Sequence, residues 1–161
     1  MDPRLKAEDD SIMILALFEP DIPQNTGSLI RLCACLDVEL HIVEPCGFPF
    51  DDKKLRRVTL DYLGLARITR HASWEKFLQW KENRRIILLT TKTRQTYAGF
   101  IFEPDDILLL GRESSGVPNH VKEKADAAVT IPMSPEARSL NVALAASMVL
   151  GEALRQTKTF P

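Results

Sequence analysis

The sequence predicts an α/β fold: a mostly parallel sheet with helices on both faces. Two observations carry this. Short apolar runs of strand length alternate with segments of helical periodicity along the chain. Two of those runs, "RIILLT" (85–90) and "DILLLG" (106–111), are apolar at successive residues, as strands buried on both faces must be. The chain has 161 residues, enough for one cored domain and short for two, so 1–161 is read as a single domain.

The elements follow in order. "IMILALF" (12–18) is a strand ended by Glu19-Pro20. "NTGSLIRLCACLD" (25–37) places Leu29, Ile30, Leu32, Cys33 and Leu36 at roughly helical spacing, and "ELHIV" (39–43) is a second strand stopped by Pro45. Residues 51–65 are mixed helix and loop, and "ARITR" (66–70) is a short strand. "SWEKFLQWKEN" (73–83) starts at a Ser73 N-cap, without a capping box because Lys76 stands where an acid or amide is needed. After the two buried strands, "PNHVKEKAD" (118–126) is a short helix with Pro118 in its first turn. "AAVTIPM" (127–133) is a last strand and "SLNVALAASMVLGEALRQT" (139–157) a long closing helix with Ser139 as natural N-cap.

Composition narrows the function classes. A formal net charge of −1 excludes a whole-protein electrostatic grip on nucleic acid but leaves room for a local basic patch. Cys33, Cys35 and Cys46 form an odd set without C-x-x-C, so a reducing, cytoplasmic setting is expected rather than a disulfide scaffold. His41, His71 and His120 lie far apart and show no zinc spacing, so no metal is expected. No run reaches the ~18 apolar residues of a membrane span, and "MDPRLKAEDDS" (1–11) is a polar, flexible tail rather than a signal peptide.

Ligands of open parallel sheets settle beyond the carboxyl ends of the strands. Three loops there, 19–27, 111–118 and 132–138, carry Gly or Pro with polar residues. Neither G-x-G-x-x-G nor G-x-x-x-x-G-K-[ST] is present, which removes the standard dinucleotide and P-loop readings. Singly, each residue has a plain structural reading. Asn25 can cap a helix, Arg31 can be a solvated helix arginine, and Glu113 a surface carboxylate. Gly111 can be a turn glycine and Asn141 an exposed first-turn residue.

In combination, "N-T-G-S-L-I-R", "L-L-L-G-R-E-S-S-G-V-P" and "I-P-M…S-L-N-V-A" occur in the order of the three motifs of the SPOUT RNA methyltransferases. The chain resembles the α/β-knot branch, which methylates ribose 2′-hydroxyls. "FEPDIPQNTG", "HIVEPCGFPFDDKKLRR", "LDYLG" and "LLTTK" bring it close to the small single-domain subgroup acting on the tRNA wobble nucleotide, position 34. Three features depart from that subgroup's pattern: Arg112 where proline is common, Gly151 where an aromatic is common, and Ala143 where serine is frequent.

The resemblance implies a C-terminal deep trefoil knot, something periodicity never shows. It implies S-adenosylmethionine as cofactor and S-adenosylhomocysteine as product, in a pocket lined by Leu89, Gly111, Ile131, Ser139 and Leu140. Arg31, Asn25, Glu113 and Asn141 become the candidate catalytic residues, with Glu113 placed to anchor Arg31 or accept a proton. Guanidinium keeps its proton far above neutral pH, so Arg31 is read as a phosphate and alkoxide ligand rather than a base. "KKLRR" supplies Lys53, Lys54, Arg56 and Arg57 as a tRNA footprint, although such a run alone is most often a solvated helix face. The first and closing helices are expected to build a two-fold homodimer whose active site joins both subunits. Two alternatives stand beside this: another tRNA or rRNA 2′-O target, and a catalytically idle knotted RNA-binding module.

Overall fold

The computed structural model describes residues 12–59 and 62–161. The polar tail at 1–11 lies outside them, as do residues 60 and 61 of the "LDYLG" segment.

Strands β1 (Ile14–Phe18), β2 (Glu39–Val43), β3 (Ile68–His71), β4 (Ile86–Leu89), β5 (Ile107–Leu110) and β6 (Ala127–Val129) form one sheet in the order β3-β2-β1-β5-β4-β6. Every pairing is parallel. The helices are α1 (Pro23–Leu36), α2 (Asp52–Thr59), α3 (Trp74–Lys81), α4 (Asn119–Lys122) and α5 (Val142–Thr157), with a 3-10 turn at Tyr62–Leu65.

Strand side chains alternate between two cores, as the pleat requires. Leu15, Leu17, Leu40, Ile42, Leu108 and Leu110 meet Leu29, Ile30 and Cys33 of α1 and Val149 and Leu150 of α5. Ile14, Ala16, Ile86, Leu88, Ile107 and Leu109 meet Trp74 and Phe77 of α3 and Val121 of α4. Helices therefore cover both faces, and β5 is buried along its whole length as its unbroken leucine run requires. Among the described residues, no helix is long and apolar enough to cross a membrane.

Four expectations need correction. Helix α1 begins at Pro23, not Asn25, because proline's fixed φ and missing N–H suit the first turn. Asn25 is thus inside the helix rather than its cap. Helix α5 begins at Val142, capped by Asn141, whose Oδ1 accepts from Ala143 N (2.8 Å) and Leu144 N (3.2 Å). Ser139 remains in the preceding loop, since one short amide oxygen already satisfies two of the free N–H groups. Helix α4 is a single turn with Pro118 as its N-cap. It stops because Asp126 is already committed to the sheet, its N–H donating to Ile86 O and its carboxylate accepting from Ile86 N. Strand β6 ends at Val129, where Thr130 leaves to pair with the loop after β4 (Thr130 N to Gln95 O, Tyr97 N to Thr130 O).

The Ser73 cap is present, its side chain accepting from Lys76 N. Cys33, Cys35 and Cys46 are all free thiols. Burial pushes the Cys33 thiol up to about 12 and Cys46 to about 11, so neither is a nucleophile. The histidines are far apart in sequence, yet parallel pairing of β2 with β3 brings His41 Nδ1 within 2.8 Å of His71 Nε2.

Candidate active site

Where β1 parts from β5, the chain crosses from one half of the sheet to the other, and the loops beyond these strand ends meet. A cavity of about 670 Å³ opens there, well inside the 300–1,000 Å³ range of small-molecule sites. All five residues expected at a cofactor pocket line it: Leu89, Gly111, Ile131, Ser139 and Leu140. Asn25, Glu113 and Asn141 share the same wall. The three strand-end loops thus converge on one site.

Each loop has a physical reason for its place. Gly111 presses on the turn that follows it: a Cβ there would sit 2.6 Å from Gly116 C and 2.8 Å from Gly116 Cα. Gly116 itself has φ +68°, which glycine adopts without steric cost. Arg112 and Gly116 exchange two backbone bonds of 2.9 Å, closing the turn.

Arg112 and Glu113 stitch the β5 loop to the β1 loop. Arg112 donates to Glu19 Oε1 (2.7 Å) and Glu19 O (3.2 Å), holding a residue of positive φ (43°). Glu113 Oε2 accepts from Asp21 N at 3.1 Å, and Ser114 Oγ donates to the Asp21 carboxylate. Burial raises the proton affinity of Glu113, and a hydrogen bond shared with the Asp21 side chain raises it further. The same contact, with Ser114, holds Asp21 below the usual carboxylate range. The two carboxylates lie side by side, so the ionisation of each opposes that of the other.

Asn141 Nδ2 donates to Asn25 Oδ1 at 3.0 Å, linking motif one to motif three. Arg31 is elsewhere. It is exposed and does not line the cavity of its own chain; its guanidinium lies 4.9 Å from the centre of the Tyr62 ring. The expected Arg31–Glu113 anchor is therefore absent among the described residues, because Glu113 is engaged with Asp21. Lys53, Lys54, Arg56 and Arg57 lie exposed on α2, away from the cavity wall. Sequence reasoning missed Asp21, Thr90, Thr91, Asn119 and Lys122. For Thr90 and Thr91 the available signal was the position of "LLTTK" at the carboxyl end of a buried strand.

A cleft at the switch point of a parallel sheet, with polar side chains converging on an apolar floor, defines an α/β enzyme with a small-molecule cofactor or substrate. Residues 12–151 match the SpoU rRNA Methylase family, and the chain belongs to that family. Two relatives are tRNA (cytidine(34)-2′-O)-methyltransferases. The one from Beijerinckia indica is 57% identical over 145 residues, covering 89% of this chain and 91% of the relative. That of Escherichia coli strain K12 is 42% identical over 144 residues, covering 88% and 92%. A solved structure concerned with 2-OH methylation of C/U34 on tRNA superimposes with a TM-score of 0.85 at 34% identity, covering 91% of this chain and 96% of that one. The SpoU methyltransferase AviRb from Streptomyces viridochromogenes, in complex with AdoMet, gives a TM-score of 0.82 at 27% identity, covering 91% of this chain and 60% of that one.

Proposed function

We propose that the protein methylates the 2′-hydroxyl of the wobble nucleotide, position 34, of tRNA with S-adenosylmethionine, leaving S-adenosylhomocysteine. The single observation that carries this is the convergence of the three motif loops on one cavity, in a chain that matches wobble-specific relatives along nearly its whole length. Retention of Asn25, Glu113 and Asn141 on that wall speaks against an idle binding module.

The cavity fits the cofactor by size and by chemistry. Its apolar floor (Leu89, Leu110, Ile131) suits a purine face, and the polar side chains of Thr90, Asn119 and Ser139 suit ribose and amino-acid groups. Bound there, the cofactor supplies a methyl group already activated on a sulfonium. The protein's own work is alignment and proton removal. Asn141 fixes Asn25, which positions the hydroxyl, and Glu113 takes its proton. We assign Arg31 to the tRNA phosphate and the developing charge on oxygen, and Lys53, Lys54, Arg56 and Arg57 to the anticodon-arm backbone. No step needs a metal ion.

The reading includes a homodimer. Leu140, Leu144 and Met148 expose apolar side chains along the start of α5, with Ile22 before α1, while the small residues Ala146 and Ala153 are buried in the chain's own core. A two-fold partner on that face would bring Arg31 of the partner subunit to the cavity. The reading also includes the C-terminal knot, one domain spanning 1–161 and a cytoplasmic location. The knot is supported by the closing segment's ties to the loop after β4. Gln156 there donates to Phe100 O and accepts from Phe102 N.

The test is incubation of the protein with bulk tRNA and labelled cofactor, followed by nucleoside mapping. Label in a 2′-O-methylated nucleotide at position 34 is expected; label elsewhere, or none, overturns the assignment.

A further inference from the structure

Resting on that function, we propose that Asp21 is a positioning residue that makes Glu113 the proton acceptor of methyl transfer. Glu113 lines the cavity and Asp21 stands behind it, outside the wall. Asp21 holds Glu113 through its backbone N–H, which donates to Glu113 Oε2 at 3.1 Å, so its own carboxylate lies beside that of Glu113. Ser114 Oγ donates to Asp21 Oδ2, while Asp21 Oδ1 is buried with no partner among the described residues. A buried carboxylate oxygen without a donor favours a proton nearby, which the pair can hold between its members.

The charges around the pair are few. On the β1 loop Glu19 is neutralised by Arg112 of the β5 loop. Gly47 of the loop after β2 packs on Asp21; near it Glu44 is paired with Arg70, and Cys46 is a thiol whose proton affinity burial raises. Lys92 and Lys122 line the same cavity. Asp21 is therefore the negative group in direct contact with Glu113.

In the transfer the ribose 2′-oxygen forms the O–C bond to the methyl carbon. The C–S bond breaks with its electron pair left on sulfur. The hydroxyl proton passes to ionised Glu113 and is retained between Glu113 and Asp21. Asp21 thus increases the basicity of a group that touches substrate, and it touches none itself.

Single-turnover rates at saturating tRNA and cofactor, followed across pH, test this. Asp21→Asn keeps the backbone donor and side-chain size but removes the negative charge. The acid limb of its profile is expected at lower pH, with the plateau rate down roughly tenfold, since a weaker base is a poorer acceptor, and with S-adenosylhomocysteine affinity unchanged. Ser114→Ala removes the donor that keeps Asp21 ionised, so its limb is expected at higher pH. Asp21→Glu should restore most of the rate. A limb that stays in place in both Asp21→Asn and Ser114→Ala overturns the proposal, even where the rate falls. Failure of the functional reading is separate: the unaltered protein would then form no 2′-O-methylribose in tRNA at any pH.

Discussion

Asn141 Nδ2 and Asn25 Oδ1 are 3.0 Å apart, although 116 residues separate them in sequence. The direction of this bond is set by the helix it starts. Asn141 must turn its oxygen to Ala143 N and Leu144 N, which leaves its NH₂ to Asn25. Asn25 then shows its oxygen to Asn141, and its own NH₂, which donates to no group among the described residues, can meet a substrate oxygen.

Two substitutions at Asn141 separate cap from site. Asn141→Asp keeps the cap oxygen but sets a carboxylate against Asn25 Oδ1, so Asn25 must flip or withdraw. Its melting temperature should stay near the parent while methyl transfer falls at least about tenfold. Asn141→Ala loses both functions and should also cost about 1 kcal/mol of stability. Equal activity in Asn141→Asp and the parent would remove Asn25 from the active site.

Gly111→Ala is expected to close the cofactor cavity. A methyl group 2.6 Å from Gly116 C meets backbone, which cannot rotate away, so the turn must open. Overpacking of this kind costs about 1–3 kcal/mol. The sharper expectation is loss of stabilisation by S-adenosylhomocysteine, which in the parent raises the melting temperature by mass action. A variant still stabilised in full would place the cofactor elsewhere.

Much of this was legible in the sequence. The "ELHIV" strand has the bounds predicted for it, and the two unbroken apolar runs are the neighbouring interior strands β4 and β5, because burial on both faces leaves a mark in local composition. The motif loops were legible for the same reason: each follows a strand. Adjacency was not legible. The order β3-β2-β1-β5-β4-β6 brings loops 19–21 and 111–114 together, and only that order makes Asp21 a partner of Glu113. His41 and His71 were missed likewise, since their contact depends on strand register. Helix starts failed for two reasons: α1 starts before Asn25 because Pro23 opens it without a side-chain cap, and α5 starts after Ser139 because Asn141 takes the cap.

The buried histidine pair sets an acid limit on stability. Burial lowers the proton affinity of His71, and His41 beside it lowers it further. Glu39 lies 3.6 Å from His41 Nε2, and Trp80 covers both rings. The unfolded chain titrates His71 near the ordinary value of about 6.5, above its folded value. Between those two values the unfolded state binds more protons, so stability falls as pH drops through that window. The melting temperature should therefore decline below about pH 6.5, and His71→Gln should flatten the decline. A slope unchanged by that substitution would assign the effect to other groups.

The basic face of α2 should act on binding alone. Lys53, Lys54, Arg56 and Arg57 lie exposed and outside the cavity wall. Replacing one by Ala should weaken tRNA binding and reduce the salt slope by roughly 0.7–0.9 for each phosphate no longer neutralised, with turnover at saturating tRNA intact. An unchanged slope in a variant lacking all four would mark α2 as an ordinary solvated helix.

Arg31 offers the most demanding test, because the cavity of its own chain does not include it. Arg31→Ala should lower the single-turnover rate on the order of a hundredfold, the scale of losing one stabiliser of developing charge, with cofactor affinity unchanged. Arg31→Lys should recover little, since an ammonium cannot reproduce the planar fork or stack as well on Tyr62. Two inactive variants, Arg31→Ala and Glu113→Gln, then decide which chain supplies the arginine. In a two-fold dimer with sites shared between subunits, a mixed dimer of the two contains one site with both groups intact. Random mixing makes half the dimers mixed, each with one working site of two, so about a quarter of parental activity should return. If Arg31 served its own chain, no site in the mixture would hold both groups and nothing would return. That negative result, with subunit exchange verified by mass, would place Arg31 in the active site of its own chain and remove the partner's Arg31 from the proposed mechanism.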